Sequence, residues 1–153
     1  MKNKKIVFPL IALCLVIATC IFYLSTQGYE AQAELIQPYL QTSNKVTVET
    51  LGSNITVFKP TSPKAGLIFY PGGKVAPDAY VPLLHQLADE NLLCILVSMP
   101  FDLAVFNVNA ADGLKEQFPE VTHWYMGGHS LGGSMAATYV SKHLEDFDGL
   151  ILL

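Results

Sequence analysis

The sequence carries little charge. Only 14% of its 153 residues are Asp, Glu, Lys or Arg, whereas an average soluble protein has about 25%, and 51% are hydrophobic. The net charge is −4, and no basic cluster occurs outside the first five residues. Nucleic-acid binding relies on grouped Lys and Arg, so this composition argues against nucleic acid as a partner. A chain of this length suggests one domain at most.

Cysteine is also scarce, and metal-binding motifs are missing. Cys14 and Cys20 fall inside an apolar run and Cys94 falls in a strand-like stretch, so no disulfide framework can be derived. The histidines and acidic residues lack the spacing of metal ligands. The sequence therefore implies neither a metal nor another cofactor.

Part of the low charge is concentrated near the N-terminus. Residues 1–5 are basic, and residues 6–24 (IVFPLIALCLVIATCIFYL) contain no charged side chain. At about 1.5 Å per residue this run is roughly 28 Å long, close to the ~30 Å hydrocarbon core of a bilayer. The lysines before it, with Glu30 and Glu34 after it, favour a cytoplasmic N-terminus. We therefore predict a single-pass transmembrane anchor in the cell membrane, with the remaining chain outside the cytoplasm.

Two alternatives stay open for this segment. Residues 31–33 (AQA) have the small-x-small form of a signal-peptide cleavage site, although the apolar run exceeds the usual ~7–15 residues. Residues 17–20 (IATC) loosely resemble a bacterial lipoprotein box, although Thr19 is an uncommon residue before the cysteine. The first alternative gives a secreted protein and the second a lipoprotein.

A change of pattern marks the start of a folded domain at residues 45–153. The preceding residues, 25–44, are polar and contain Pro38, which indicates a stalk or linker. KVTVET (45–50) and NITVFK (54–59) then alternate β-branched and polar residues around a short turn. This alternation predicts an antiparallel hairpin.

Beyond the hairpin the apolar runs become continuous. Four of them have the length of strands: GLIFY (66–70), LLCILVS (92–98), HWYMG (123–127) and GLILL (149–153). Such runs are typical of strands buried on both faces, and helices between them impose parallel pairing. The predicted helices cover residues 79–90, 108–117 and 131–144. The fold class is therefore α/β, a three-layer sandwich with the antiparallel hairpin at one edge and helices on both faces of the sheet.

The densest motif is WYMGGHSLGGSM, residues 124–135. Gly128, Ser130 and Gly132 match G-x-S-x-G, with a strand before and a helix after, as in a nucleophile elbow. A serine at such a turn takes a strained backbone conformation that lifts its hydroxyl clear of the sheet, and the flanking glycines avoid a clash. The helix that begins at Leu131 directs backbone N–H groups toward the place of an oxyanion. We therefore predict Ser130 as the nucleophile and the Leu131 N–H as one oxyanion donor.

Two phosphate-binding motifs compete for these glycines and are rejected. A dinucleotide-binding loop needs glycine where Ser130 stands, and a P-loop needs lysine where Ser134 stands. A purely structural alternative is that the small residues after Ser130 only permit close packing of a helix on the sheet. That packing is compatible with an elbow.

A second glycine turn follows the strand at residues 66–70. Pro71-Gly72-Gly73-Lys74 lies in the loop that supplies the other oxyanion donor in elbow hydrolases. Gly73 N–H is the candidate donor, and Lys74 N–H is the second choice. The alternative is that these residues form an ordinary turn.

Five segments between residues 65 and 153 resemble a known family. FYPGGKV, VSMPFDLAVF, NAAD, GGHSLGGSMAATYVSKH and GLILL are similar to the bacterial α/β-hydrolase fold-5 group of serine hydrolases. The resemblance implies a hydrolase sheet of eight strands and a Ser–acid–His triad with Ser130 as nucleophile. It implies no particular substrate.

A base for Ser130 is missing from the sequence. In elbow hydrolases the acid and the histidine follow the elbow strand and helix, and the chain reaches Leu153 without them. None of the histidines is placed to accept the hydroxyl proton, so we expect packing or surface roles for His85, His123, His129 and His143. We therefore expect the chain to be the N-terminal part of a longer hydrolase, without turnover as given.

Asp102 follows the strand at residues 92–98. It should lie on the rim where active sites of open α/β sheets form. A triad acid here would depart from the family order, so we expect loop capping or pocket lining. Lys74 and Ser98 share this rim.

These features predict a membrane-anchored serine hydrolase. It would cleave an ester, thioester or amide of a small-molecule acyl substrate through an acyl-enzyme on Ser130, without a cofactor. The alternative from another class is a non-catalytic, membrane-tethered binding or scaffold protein that keeps the hydrolase fold. The short chain favours this alternative.

Overall fold

The computed structural model describes residues 4–26 and 28–153. Its α-helices are α1 (Lys4–Thr26), α2 (Ala33–Ile36), α3 (Val81–Asp89) and α4 (Leu131–Val140). Its strands are β1 (Val46–Leu51), β2 (Ile55–Pro60), β3 (Ala65–Tyr70), β4 (Leu92–Val97), β5 (Trp124–Gly128) and β6 (Gly149–Leu152). Residues 1–3 of the predicted basic segment lie outside the described residues.

The N-terminal apolar run forms helix α1, and its side chains at positions 7–23 are exposed. A membrane-spanning helix needs about 20 predominantly apolar residues to cover the hydrocarbon core. Within the described residues, no helix has the length and the apolar character needed to cross a bilayer. The transmembrane anchor predicted at residues 6–24 stays a prediction.

The segment after α1 attaches to the domain. Tyr29 forms a parallel bridge with Val75: its N–H donates to Lys74 O (2.7 Å), and its carbonyl accepts from Ala76 N–H (2.9 Å). Further along, Ile36 of α2 is buried. The polar stretch at residues 25–44, predicted as a stalk, is therefore partly packed against the sheet domain.

The six strands form one mixed sheet in the order β1-β2-β4-β3-β5-β6. β1 pairs antiparallel with β2, and β2 pairs antiparallel with β4. β3 is parallel to both β4 and β5, and β6 is parallel to β5. The α/β class and the N-terminal antiparallel hairpin are confirmed.

Successive side chains of β3 are buried on opposite faces of the sheet, which explains its continuous apolar sequence. On one face, Leu67 and Phe69 pack in a core with Leu84 of α3. On the other face, Ile68 lies in a second core with α4 and the segment 99–121. Helices or irregular chain thus cover both faces, and the predicted three layers are present.

The helix predicted over residues 108–117 is wrong. This stretch forms turns, followed by a short 3-10 turn at Lys115–Gln117. The hydroxyl of Tyr70 accepts a hydrogen bond from Ala111 N–H (2.8 Å) and donates to Val108 O (2.9 Å). These bonds from the end of β3 replace the helical pairing that the local sequence favours.

The other two helices are present but shorter than predicted. α3 covers Val81–Asp89 of the predicted 79–90, and a 3-10 turn at Pro77–Tyr80 precedes it. α4 ends at Val140 instead of residue 144. The 3-10 turn before α3 matters below because it carries Tyr80.

Candidate active site

The candidate site lies at the carboxyl ends of the parallel strands. Because β3, β4 and β5 run in the same direction, the loops after them meet at one edge of the sheet. These loops carry residues 71–74, residues 98–103 and the turn at Ser130. The predicted glycine turn, the rim residues and the predicted nucleophile are therefore neighbours.

Ser130 occupies a strained turn between β5 and α4. Its φ of 49° and ψ of −117° lie outside the regions that residues other than glycine normally adopt, at a cost of about 1–3 kcal/mol. The turn is held by hydrogen bonds from Ser130 N–H to Leu153 O (3.0 Å) and from His129 N–H to Tyr70 O (3.2 Å). Ser130 is exposed, and its hydroxyl has no hydrogen-bond partner among the described residues. This is the backbone geometry of the predicted elbow, while the role of Ser130 as nucleophile stays a prediction.

Two glycines flank Ser130 because side chains would collide there. A Cβ on Gly132 would overlap the carbonyl oxygens of Tyr70 and Pro71. A Cβ on Gly128 would lie 2.6 Å from both Gly132 C and Gly133 N. The start of α4 is therefore pressed against the ends of β3 and β5, which positions Ser130 beside the glycine turn.

In the glycine turn after β3, one N–H has no hydrogen-bond partner among the described residues. Gly72 N–H donates to the Tyr80 hydroxyl (3.0 Å), and Lys74 N–H donates to Asp102 O (2.8 Å). Gly73 N–H and Leu131 N–H make no hydrogen bond among the described residues. Gly73 also faces Leu131, since a Cβ on it would lie 3.0 Å from Leu131 Cδ2. The structure therefore brings the residues of the two predicted oxyanion donors together, and their role stays a prediction. The N–H of Lys74, the second choice, already donates to Asp102 O.

Lys74 connects the loops that follow β3 and β4. Its Nζ donates to Phe101 O at 3.0 Å, in addition to the backbone bond to Asp102. Phe101 and Asp102 have left-handed φ values of 55° and 54°, so this part of the rim is a tightly bent loop. Ser98 donates its N–H to Asn54 O (2.7 Å) and so ties the rim to the hairpin turn.

In the described part of the chain, none of the histidines hydrogen-bonds the Ser130 hydroxyl. His85 is buried on α3, His123 lies 3.4 Å from Asp148, and His143 stacks on Tyr139. Within residues 4–26 and 28–153, no group of three His, Cys, Asp or Glu side chains could hold a metal ion. The described residues thus provide an elbow and donor N–H groups, and they provide no base in contact with Ser130.

His129 has a partner that the sequence did not reveal. Its Nδ1 lies 2.8 Å from the hydroxyl of Tyr80, which is the acceptor for Gly72 N–H. Tyr80 and His129 are 49 residues apart and no motif links them, so no local signal could have identified this pair.

Comparison with known proteins identifies relatives of this fold. A family model described as "Alpha/beta hydrolase family" matches residues 66–153. No curated protein sequence matches the chain.

Three solved structures illustrate the likeness. TT1662 from Thermus thermophilus is 17% identical, with a TM-score of 0.57 over 71% of this chain and 56% of that one. A bacterial heroin esterase is 18% identical, with a TM-score of 0.58 over 78% of this chain and 48% of that one. A thermostable carboxyl esterase from Bacillus coagulans is 16% identical, with a TM-score of 0.51 over 73% of this chain and 44% of that one. The chain thus spans about half the length of these structures, and at such identities the likeness concerns the fold alone.

Proposed function

The chain belongs to the alpha/beta hydrolase family, and from that premise we propose that it is a serine hydrolase acting on carboxylic esters, with Ser130 as the nucleophile. The supporting observation is that exposed Ser130 sits in a turn with positive φ, beside two backbone N–H groups, those of Gly73 and Leu131, that have no hydrogen-bond partner among the described residues. Two of the structural relatives are described as esterases, which supports the choice of esters over other acyl compounds.

The proposed reaction proceeds through an acyl-enzyme. Ser130 Oγ attacks the ester carbonyl, its proton passes to the leaving alcohol through a base, and the C–O bond to that alcohol breaks. Leu131 N–H and Gly73 N–H donate to the oxyanion that forms on the carbonyl oxygen. Water then attacks the acyl-enzyme, releases the carboxylic acid and returns a proton to Ser130.

The rim beside Gly73 favours an apolar acyl group. A Cβ on Gly73 would lie 3.5 Å from Leu103 Cδ2, in the loop after β4. The same loop exposes the rings of Phe101 and Phe106, which pack edge to face with centroids 5.8 Å apart. Contiguous exposed apolar patches mark ligand-binding grooves or interaction sites in many proteins. We infer that the two rings contact the acyl chain of the substrate.

A second candidate function is that of a non-catalytic binding protein with this fold. One observation favours it: no histidine among the described residues contacts Ser130 Oγ, and a serine hydroxyl is a weak nucleophile without a base. Such a protein would hold an acyl compound at the same rim without cleaving it.

Labelling with a fluorophosphonate tests the proposal. The serine oxygen attacks phosphorus and fluoride leaves, so the full-length folded protein should gain one adduct on the peptide that carries Ser130. Ser130→Ala should abolish labelling, whereas Ser141→Ala, which changes an exposed serine at the opposite end of α4, should leave it unchanged. A folded wild-type protein that stays unlabelled would contradict the enzymatic proposal and favour the binding protein.

A further inference from the structure

We propose that Tyr80 is a positioning residue that couples the glycine turn after β3 to the nucleophile turn. Gly72 N–H, the Tyr80 hydroxyl and His129 Nδ1 form a chain of two hydrogen bonds, which we call the Tyr80 bridge. The inference deepens the proposed function and rests on Ser130 being the nucleophile.

The Tyr80 bridge joins three separate elements. Tyr80 Oη lies 3.0 Å from Gly72 N in the loop after β3 and 2.8 Å from His129 Nδ1 in the elbow. Tyr80 itself belongs to the 3-10 turn before α3, where its buried ring packs 5.0 Å from that of Phe69. Because ring packing fixes the phenol in place, the hydroxyl is a fixed point to which both loops are attached.

The donors in the bridge follow from simple chemistry. A backbone N–H only donates, so the Tyr80 oxygen accepts from Gly72. The phenolic hydrogen is then available to His129 Nδ1, and in the tautomer that uses it the imidazole carries its own hydrogen on Nε2. Burial raises the pKa of the Tyr80 phenol, with the Gly72 bond lowering it in part, so the phenol keeps its hydrogen at neutral pH.

Each end of the bridge is one residue away from a group used in the proposed reaction. Gly72 precedes Gly73, whose N–H is the predicted oxyanion donor, and His129 precedes Ser130. The contact is close, because a Cβ on Gly72 would lie 2.5 Å from His129 Nδ1. The bridge therefore sets the separation between the donor N–H and the serine hydroxyl. Small displacements of such groups reduce catalysis strongly.

The matched test compares two Tyr→Phe variants in the full-length protein. Tyr80→Phe removes the bridge. Tyr139→Phe also removes one hydroxyl hydrogen bond, from Tyr139 to Asp112 Oδ1 (2.8 Å), near the C-terminal end of α4. For hydrolysis of p-nitrophenyl butyrate we expect Tyr80→Phe to lower kcat about tenfold or more with KM changed less than about threefold. Tyr139→Phe should retain wild-type kcat.

Two further measurements separate positioning from loss of structure. Hydrogen exchange of the Gly72 amide should accelerate in Tyr80→Phe and stay unchanged in Tyr139→Phe. His129→Asn, whose side-chain oxygen can accept from Tyr80, should keep more of the wild-type kcat than His129→Phe, which cannot accept. If Tyr80→Phe fails to fold, this His129 pair decides the question.

The outcomes for the bridge and for the proposed function are distinguishable. If the wild-type protein and Tyr80→Phe react with the fluorophosphonate at the same rate, the positioning role of Tyr80 is overturned and the proposed enzymatic function is not. Equal activity of His129→Asn and His129→Phe overturns that positioning role as well. If the folded wild-type protein does not react, the proposed function is overturned, and so is the role of the Tyr80 bridge in catalysis.

Discussion

At the scale of single residues, the space beside Ser130 is the strongest constraint on the sequence. Gly132 lies in the first turn of α4, where alanine would normally be the better helix former by about 1 kcal/mol. The carbonyl oxygens of Tyr70 and Pro71 fill the place of its side chain. Since those oxygens belong to the backbone, they cannot move aside as a flexible side chain could.

Gly132→Ala should therefore destabilise the protein by about 2 kcal/mol or more, against the helix-propensity trend. The midpoint of urea unfolding measures this change. Ser134→Ala, at an exposed position two residues later in the same helix, should move the midpoint little. An unchanged or higher midpoint for Gly132→Ala would show that the packing of α4 against β3 is looser than described.

At the scale of elements, the starts of β5 and β6 are joined by one carboxylate. Asp148 Oδ2 accepts from Trp124 N–H (2.8 Å), and Oδ1 lies 3.4 Å from His123 Nδ1. The Trp124 hydrogen bond, followed by the His123 contact, lowers the pKa of Asp148. The folded state thus favours the ionised carboxylate.

A lowered folded-state pKa means that the unfolded chain binds the proton more readily. The contribution of Asp148 to stability is therefore present above the unfolded pKa of about 3.9 and is lost as the pH falls through the folded-state value. Urea unfolding between about pH 5 and pH 2 should show a weaker acid dependence in Asp148→Asn than in the wild type. Asp78→Asn, at an exposed site on the turn before α3, should leave the acid dependence unchanged.

The loop after β4 should determine which acyl groups are accepted, if the proposed function holds. Phe106→Ala removes an exposed ring next to the site, so kcat/KM should fall several-fold for an octanoyl ester and change little for an acetyl ester. The control is Leu144→Ala, another exposed apolar residue, which follows α4 at the far end from Ser130. A uniform loss for both esters would argue against contact between Phe106 and the acyl chain.

At the scale of the whole molecule, stability is concentrated in the central strands. β3 and β4 are buried on both faces, between a core that includes α3 and a core that includes α4. β1 lies at an edge of the sheet and is largely exposed, and the described side chains of α1 are exposed as well. Regions with few buried apolar contacts open at low free-energy cost.

Hydrogen exchange followed by mass spectrometry should reproduce this ranking. Peptides from β3 and β4 should exchange slowest, β1 faster, and residues 7–23 fastest in a detergent-free buffer. A slowly exchanging α1 in the purified protein would show that its apolar side chains are covered.

The strands could be predicted from the sequence because each is a local pattern: alternation in the hairpin and continuous apolar runs in the parallel strands. The helix predicted at residues 108–117 failed for a non-local reason. The Tyr70 hydroxyl, from a strand about 40 residues earlier, takes the hydrogen-bonding groups of Val108 and Ala111. The sequence near residues 108–117 gives no indication that a hydroxyl from a distant strand will bind these groups.

The sequence by itself determined the strand–turn–helix around Ser130, because only glycine fits the space on either side of such a turn. Only the tertiary structure decided that Gly73 N–H, and not Lys74 N–H, lacks a partner among the described residues. Lys74 N–H donates to Asp102 O, and Gly72 N–H donates to the Tyr80 hydroxyl. The tertiary structure also decided that His129 pairs with Tyr80. A hydrogen bond depends on distances between groups that the chain brings together from far apart, and those distances exist only once the sheet has formed.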